Sequence, residues 1–350
     1  MAAEEATARR ERARREMVQN TVASSVTIAG CVAAMNPLDT LRLRWQLHPV
    51  GADAAALPAE AGISAYTRHV VRTEGLLRGL WAPGIGSNMV ASALGRGLGL
   101  GAYPLVRDSL DVAATALGAG DTQKSVLTMY AAGMLAGCVA YGLANPCYQM
   151  KTRLQACAGA VGPSGVFESG AMKGQRPPYR HMVDGMRRIA VEEGVVSGLY
   201  RGVGAIMLRG ALMNGETPSA YCYNPRLLTP GPAGGAAMGY DATKTQAKHQ
   251  RWLDDGPLLH IVASIVSALA QTACLPADVL MTRYQSAAQL PDGPQYRGLL
   301  HCAATIRREE GASVFFRGWT PMFARVAPLA VVFFPVYEQI RRLVGLGFMD

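Results

Sequence analysis

Three stretches of this 350-residue chain place the same kinds of side chain at fixed intervals after a proline. They are Pro37-Leu-Asp39-Thr-Leu-Arg42-Leu-Arg44-Trp-Gln46, Pro146-Cys-Tyr148-Gln-Met-Lys151-Thr-Arg153-Leu-Gln155 and Pro276-Ala-Asp278-Val-Leu-Met281-Thr-Arg283-Tyr-Gln285. A triplication in register means one architecture built three times, which replaces the two-domain expectation for a chain of this length. Each unit carries a second set of echoes downstream: Tyr66, Glu74-Gly75 and Trp81; Tyr179, Glu193-Gly194 and Tyr200; Tyr296, Glu310-Gly311 and Phe316. Each unit therefore reads as an apolar segment ending near the proline, a polar connection with a short helix, and a second apolar segment. The repeat boundaries fall at 1–118, 119–228 and 229–350.

The apolar segments lie near 20–37, 84–106, 126–146, 202–222, 258–276 and 318–337. Each is about long enough to cross a hydrocarbon core of roughly 30 Å. Their small residues, such as Ala29-Gly30, Gly133 with Gly137, and Ser264 with Ala268, suit close helix packing in lipid. A mean hydropathy of +0.12 decides little, and the placement of charge decides more. Of 34 basic residues, eighteen follow the three motif prolines and six lie in the two connections on the opposite side. That asymmetry is what basic loops on one face of a membrane produce. Arg96, Arg209 and Arg325 alone fall inside the even apolar segments, joined by the acid Glu216. Ionised groups at such depth are costly, so each faces a wet interior and is a functional candidate.

Other chemistries find little support. The seven cysteines form no C-x-x-C pair and the six histidines show no ligand spacing, which argues against a zinc site or a disulfide framework. The run from Gly95 to Ala102 matches G-x-G-x-x-A without the strand a dinucleotide loop requires, so it reads as helix packing. The N-terminal run from Glu4 to Glu16 mixes acids with arginines, unlike a transit peptide, and reads as a solvated arm. A net charge of +9 suits anionic lipid, since the basic residues follow membrane-helix ends and form no patch for nucleic acid. The Gly/Pro-rich connection 226–257 is unusually long for a helix connection.

The motif Pro-x-Asp/Glu-x-x-Lys/Arg-x-Lys/Arg-x-Gln, repeated three times with Glu-Gly and aromatic-Arg-Gly echoes, resembles the mitochondrial carrier family over almost the whole chain. The resemblance implies an all-α, multi-pass protein of the mitochondrial inner membrane. Six transmembrane helices in three pseudo-symmetric repeats, with short matrix-side helices, surround a cavity that opens alternately to either side. It also implies a monomeric transporter without enzymatic activity or cofactor, with cardiolipin as bound lipid. By the family's rule, the acid of each motif pairs with the base of the next. That gives Asp39 with Lys151 and Asp278 with Arg42, braced by Gln46, Gln155 and Gln285 as a matrix gate. Tyr148 and Met281 stand where the third pair would be, and the joint loss of both charges strands neither. On the cytoplasmic side, Glu338 with Arg107 is the one pair the family's second network retains. Tyr200-Arg201-Gly202 and Phe316-Arg317-Gly318 match the family's cardiolipin-binding pattern, while Trp81-Ala82-Pro83 departs from it.

In the family the substrate contacts lie mid-membrane on the even helices. Counting eight residues on from Arg201 and Arg317 reaches Arg209 and Arg325, and the same count from Ala82 reaches Val90. A guanidinium fork binds a carboxylate in two places. Arg209 with Gly210, Arg325, Arg96, Glu216 and Val90 are therefore the expected substrate contacts, with Glu216 able to hold an ammonium group or to pair with an arginine. The implied function is transport or exchange of a small anionic or zwitterionic solute, an organic acid or amino acid. A scaffold or insertase without transport, or a carrier of another anion such as a nucleotide, is the alternative.

Overall fold

The computed structural model describes residues 2–47, 62–116, 121–214, 272–287 and 296–325, with positions 336, 339, 340 and 343. These residues are helical apart from connections and one isolated antiparallel bridge, Val161 to Phe167. In the first repeat, α1 (Ala2–Leu47) leads through α2 (Ile63–Glu74) and a wide π turn, Leu77–Trp81, to α3 (Ile85–Ser92). A second π turn, Ala93–Gly97, joins α3 to α4 (Leu98–Ala116). The second repeat contains α5 (Asp121–Leu143), α6 (Asn145–Ala156), α7 (Met182–Glu192), a π turn at Val195–Leu199 and α8 (Val203–Asn214). In the third repeat, a 3-10 turn (Thr272–Cys274) enters α9 (Leu275–Ser286). There follow α10 (Leu299–Glu309), a 3-10 turn at Ala312–Phe316 and helical residues 319–325. The expected segment 258–276 lies largely outside the described residues, as does 318–337 beyond 325.

The three prolines act differently. Helix α1 runs through Pro37, whereas Pro146 and Pro276 sit in the first turn of α6 and α9, after a break at Ala144 and the 3-10 turn. A proline lacks the N–H that a first turn leaves unpaired anyway, so a break costs less there than a kink inside a continuous helix.

Many polar side chains are buried while long apolar stripes face outward, unlike a soluble protein. Val18, Val22 and Val26 on α1, Val90, Leu94 and Leu98 from α3 into α4, and Leu135, Val139 and Leu143 on α5 are all exposed at one-turn intervals. Apolar stripes of this extent are stable against lipid and unfavourable against water. Within the described residues, Thr21–Leu47 is long and apolar enough to cross a bilayer unaided, and Ala131–Leu143 and Val203–Leu212 are shorter apolar stretches.

Each matrix-side helix is tied to its odd helix in the same way. Arg44 donates both terminal nitrogens to Glu74 at 2.6 and 2.8 Å. Arg153 grips Glu193 with two nitrogens and reaches the Tyr179 hydroxyl at 3.1 Å, and Arg283 grips Glu310. A two-point Arg–carboxylate contact fixes orientation as well as distance. The glycine after each acid, Gly75, Gly194 and Gly311, has φ of 78°, 89° and 87°, a turn that a side chain would strain. This accounts for the Glu-Gly echo in all three repeats.

Candidate functional site

The prolines bring the motif residues of the three repeats together at one end of the bundle. Arg42 and Asp278 form a buried ion pair, and Lys151 Nζ lies 3.6 Å from Asp39 Oδ2. At the third corner Tyr148 and Met281 share an apolar cluster with Ala91, Tyr141 and Ile206. Filling a lost pair with apolar packing avoids an uncompensated charge.

Below the pairs the glutamines link neighbouring repeats. Thr282 donates to Gln46 Oε1 at 3.1 Å, Thr152 donates to Gln285 Oε1 at 3.0 Å, and Gln155 donates to Asn36 Oδ1 at 3.1 Å. Gln46 and Gln285 also donate to the carbonyls of Arg317 and Arg201, both at about 3.2 to 3.3 Å. They therefore brace helix against helix and touch no member of an ion pair in these contacts. Gln155 is the exception in its acceptor, whose Oε1 is buried without a partner.

Above this ring lies a cavity lined by Arg96, Tyr141, Tyr148, Lys151, Arg209 and Arg325, with an apolar wall from α1. Two of its arginines are not free. Arg325 Nη1 bonds Asp39 Oδ1 at 2.9 Å and Arg209 Nε bonds Asp278 Oδ1, so each motif acid is held by two cations from different helices. Asn88 adds a third donor to Asp39 at 3.0 Å. One nitrogen of each arginine, Arg209 Nη1 and Arg325 Nε, remains buried and unmatched. Arg96 enters the cavity from the π turn Ala93–Gly97, a wide turn that rotates the following side chains relative to a regular helix.

Two expected contacts lie elsewhere. Val90 is 42% exposed and faces outward, so it is not the first-repeat counterpart of the arginines. The register is set by the left-handed glycine that opens each even helix, Gly84, Gly202 and Gly318, with φ of 62°, 75° and 92°. Seven residues on from each stand Ala91, Arg209 and Arg325; the count from Ala82 was misled by one extra residue between Trp81 and Gly84, which stand three apart where Tyr200 and Gly202, and Phe316 and Gly318, stand two apart. Ala91 is fully buried in the cluster with Tyr141 and Tyr148. Gly210 is a packing residue outside the cavity lining: a Cβ there would meet the Gly137 carbonyl and Tyr141 at 2.7 Å. Glu216 lies outside the described residues, and so does Glu338, the expected partner of Arg107.

The expected lipid-binding arginines are stacked at the matrix-side helix starts. Arg201 lies 4.7 Å from the Tyr284 ring and donates to its carbonyl at 3.0 Å, and Arg317 lies 4.4 Å from the Trp45 ring. Tyr200 and Phe316 precede them, and Gly202 and Gly318 make the turns into the even helices. The sequence reading missed Tyr141, Asn88 and Asn36. The spacing of seven between Tyr141 and Tyr148, two turns on one helical face, was the available signal for the first. Asn36 and Asn145, each directly before a motif proline, were the signal for the bracing layer.

The family described as mitochondrial carrier protein matches residues 13–112, 122–230 and 255–347. The chain belongs to the mitochondrial carrier family. It is therefore a transporter and not an enzyme, and a multi-pass protein of the mitochondrial inner membrane. The carrier is 27% identical over 325 residues to mitochondrial citrate transporter E of Aspergillus niger, covering 92% of each chain. It is 27% identical over 325 residues to the mitochondrial 2-oxoglutarate/malate carrier protein of Sus scrofa, covering 93% of this chain and 85% of that one. To the putative mitochondrial transporter UCP3 of Bos taurus it is 30% identical over 314 residues, covering 87% and 86%.

Proposed function

We propose that this carrier moves a small organic acid with two or more carboxylates by alternating access, exchanging one such anion for another. The observation that carries this is the charge of the cavity. Arg96, Lys151, Arg209 and Arg325 line it with no acid among the described lining residues, and Arg209 and Arg325 each keep one buried nitrogen unmatched. A monoanion leaves one of those sites unmet, whereas two carboxylates on one small molecule satisfy both. The relatives named for citrate and for 2-oxoglutarate/malate carry substrates of that kind.

The same arginines connect the cavity to the matrix gate. A substrate carboxylate that takes over Arg209 or Arg325 competes with Asp278 or Asp39 for the same guanidinium. Each gate acid then retains a single cation, Arg42 for Asp278 and Lys151 for Asp39, and the energy of binding is spent on loosening the matrix side. An empty carrier keeps both acids clasped and the matrix gate shut.

Proteoliposomes loaded with one unlabelled solute and challenged with a labelled one test the reading across organic acids, amino acids and nucleotides. Exchange of di- or tricarboxylates, lost on replacing Arg209 and Arg325 together with Ala, is the expected result. Selective amino-acid or nucleotide exchange would overturn it.

A further inference from the structure

We propose that Tyr141 is a substrate-binding residue that sets specificity, its hydroxyl and Arg209 Nη1 together gripping one carboxylate of the solute. The inference rests on the carboxylate reading above and adds a residue from an odd helix to the site. Tyr141 is fully buried and lines the cavity beside Arg96 and Arg209; its hydroxyl lies close to Arg96 and Tyr148 but makes no hydrogen bond of good geometry to either. Buried hydroxyls are nearly always paired, so one left open toward a cavity points to a ligand that completes it. A tyrosine needed only for packing gains nothing from its oxygen there.

Arg209 supplies the other half of the argument. Its Nε is spent on Asp278, so the guanidinium does not present an unoccupied two-nitrogen edge that includes Nε. The unmatched Nη1 takes one carboxylate oxygen, and the Tyr141 hydroxyl, unmatched and lining the same cavity, offers a donor for the other. The arginine carbon lies 5.4 Å from the Tyr141 ring centre, so both groups approach the same space.

The ring is held in place before any solute arrives. Tyr141 stacks on Tyr148 with centroids 5.4 Å apart and planes at 16°. Gly210 lets helix α8 close on it, since a Cβ there would come within 2.7 Å of the Tyr141 side chain. On the other side, a Cβ at Gly95 would lie 3.1 Å from Tyr148 and 3.4 Å from Tyr141. A donor fixed by packing on three sides loses little freedom on binding. Tyr148 occupies the position of the missing gate acid, so no carboxylate of the protein competes from that corner.

The test is Tyr141→Phe in the full-length carrier, which keeps the ring, the stack and the arginine contact. Wild type and variant are compared in liposomes with malate and citrate, and by ligand-dependent thermal unfolding in detergent. The KM should rise about 10- to 100-fold, the effect of losing one hydrogen bond to a charged group, with maximal rate within about twofold. The empty variant should unfold at or slightly above the wild-type temperature, while stabilisation by added solute shrinks. A KM within twofold of wild type overturns the proposal, as does a fall in maximal rate accompanied by a lower unfolding temperature without ligand, which marks a structural hydroxyl. A wild-type carrier inert to every carboxylate would instead remove the carboxylate reading and this inference with it.

Discussion

Gln155 carries the one brace acceptor left unpaired, and its cause can be read from the repeat register. Six residues after the motif proline stand Leu43, Thr152 and Thr282. The two threonines donate to the glutamine of the next repeat, at 3.0 Å to Gln285 and 3.1 Å to Gln46. By the same register Leu43 faces Gln155 and has nothing to donate. Thr→Val is nearly isosteric, so Thr282→Val isolates the loss of one hydroxyl and leaves the buried Gln46 oxygen unpaired, at a cost of about 1 to 3 kcal/mol, whereas the Thr152 hydroxyl can also donate to the Tyr148 carbonyl at 2.9 Å. Leu43→Val loses no hydrogen bond and costs only about one methylene, roughly 1 kcal/mol. The decisive comparison is Leu43→Thr against Leu43→Val, in the native chain and with Gln155→Met. With Gln155 present the threonine should recover about 1 kcal/mol relative to valine; without it that advantage should vanish or reverse. Thermal unfolding of the purified carrier in detergent, followed with a thiol-reactive dye, reads the differences as shifts of a few degrees. Equal threonine-valine differences in the two backgrounds would refute the pseudo-symmetric argument.

The clasp on Asp39 changes what charge reversal does. Exchanging Asp39→Lys with Lys151→Asp preserves a simple pair, but Arg325 lies 2.9 Å from the native Asp39 carboxylate and would face the introduced ammonium group instead, so the double variant should stay inactive in liposome exchange. Recovery to more than half of wild-type rate would show that Arg325 is not held there. Burial pushes the Cys302 thiol on α10 up to about 12, so at pH 8 its thiolate fraction is on the order of 10⁻⁴, about a thousandfold below that of an ordinary exposed thiol. Mass spectrometry after brief alkylation of the folded carrier should find Cys302 unmodified, with labelling appearing only on denaturation.

Much of the fold was legible because it is repeated. A single proline motif carries little information, but three in register with Glu-Gly echoes specify the odd-helix ends and the short matrix-side helices, and the family's pairing rule adds Arg42 with Asp278. Backbone demands produced equally legible marks. Gly75, Gly194 and Gly311 recur because the turn after each acid requires positive φ. What the count did not allow for was a single inserted residue. The extra residue between Trp81 and Gly84 moves the first-repeat register by one, and one residue on a helix is a rotation of about 100°. That rotation carries Val90 to the outer face and Ala91 to the core.

The second blind spot concerns competition between partners. Sequence position placed Arg209 and Arg325 in the cavity, but a family rule that pairs each acid with one base assigned Asp39 and Asp278 elsewhere and left both arginines unengaged. Nothing in linear spacing says that a carboxylate with four lone-pair sites will take a second cation from another helix. Once the third motif pair is replaced by Tyr148 and Met281, the described ring holds two acids facing Arg42, Lys151, Arg209 and Arg325, with Arg96 close by in the cavity. Two carboxylates cannot neutralise that many buried cations, so sharing follows from charge imbalance rather than from any motif. The same imbalance leaves the cavity short of negative charge whenever it is empty. On the function proposed above, an incoming anion with two carboxylates is drawn in by that deficit and, on arrival, relieves the two acids that had been covering it.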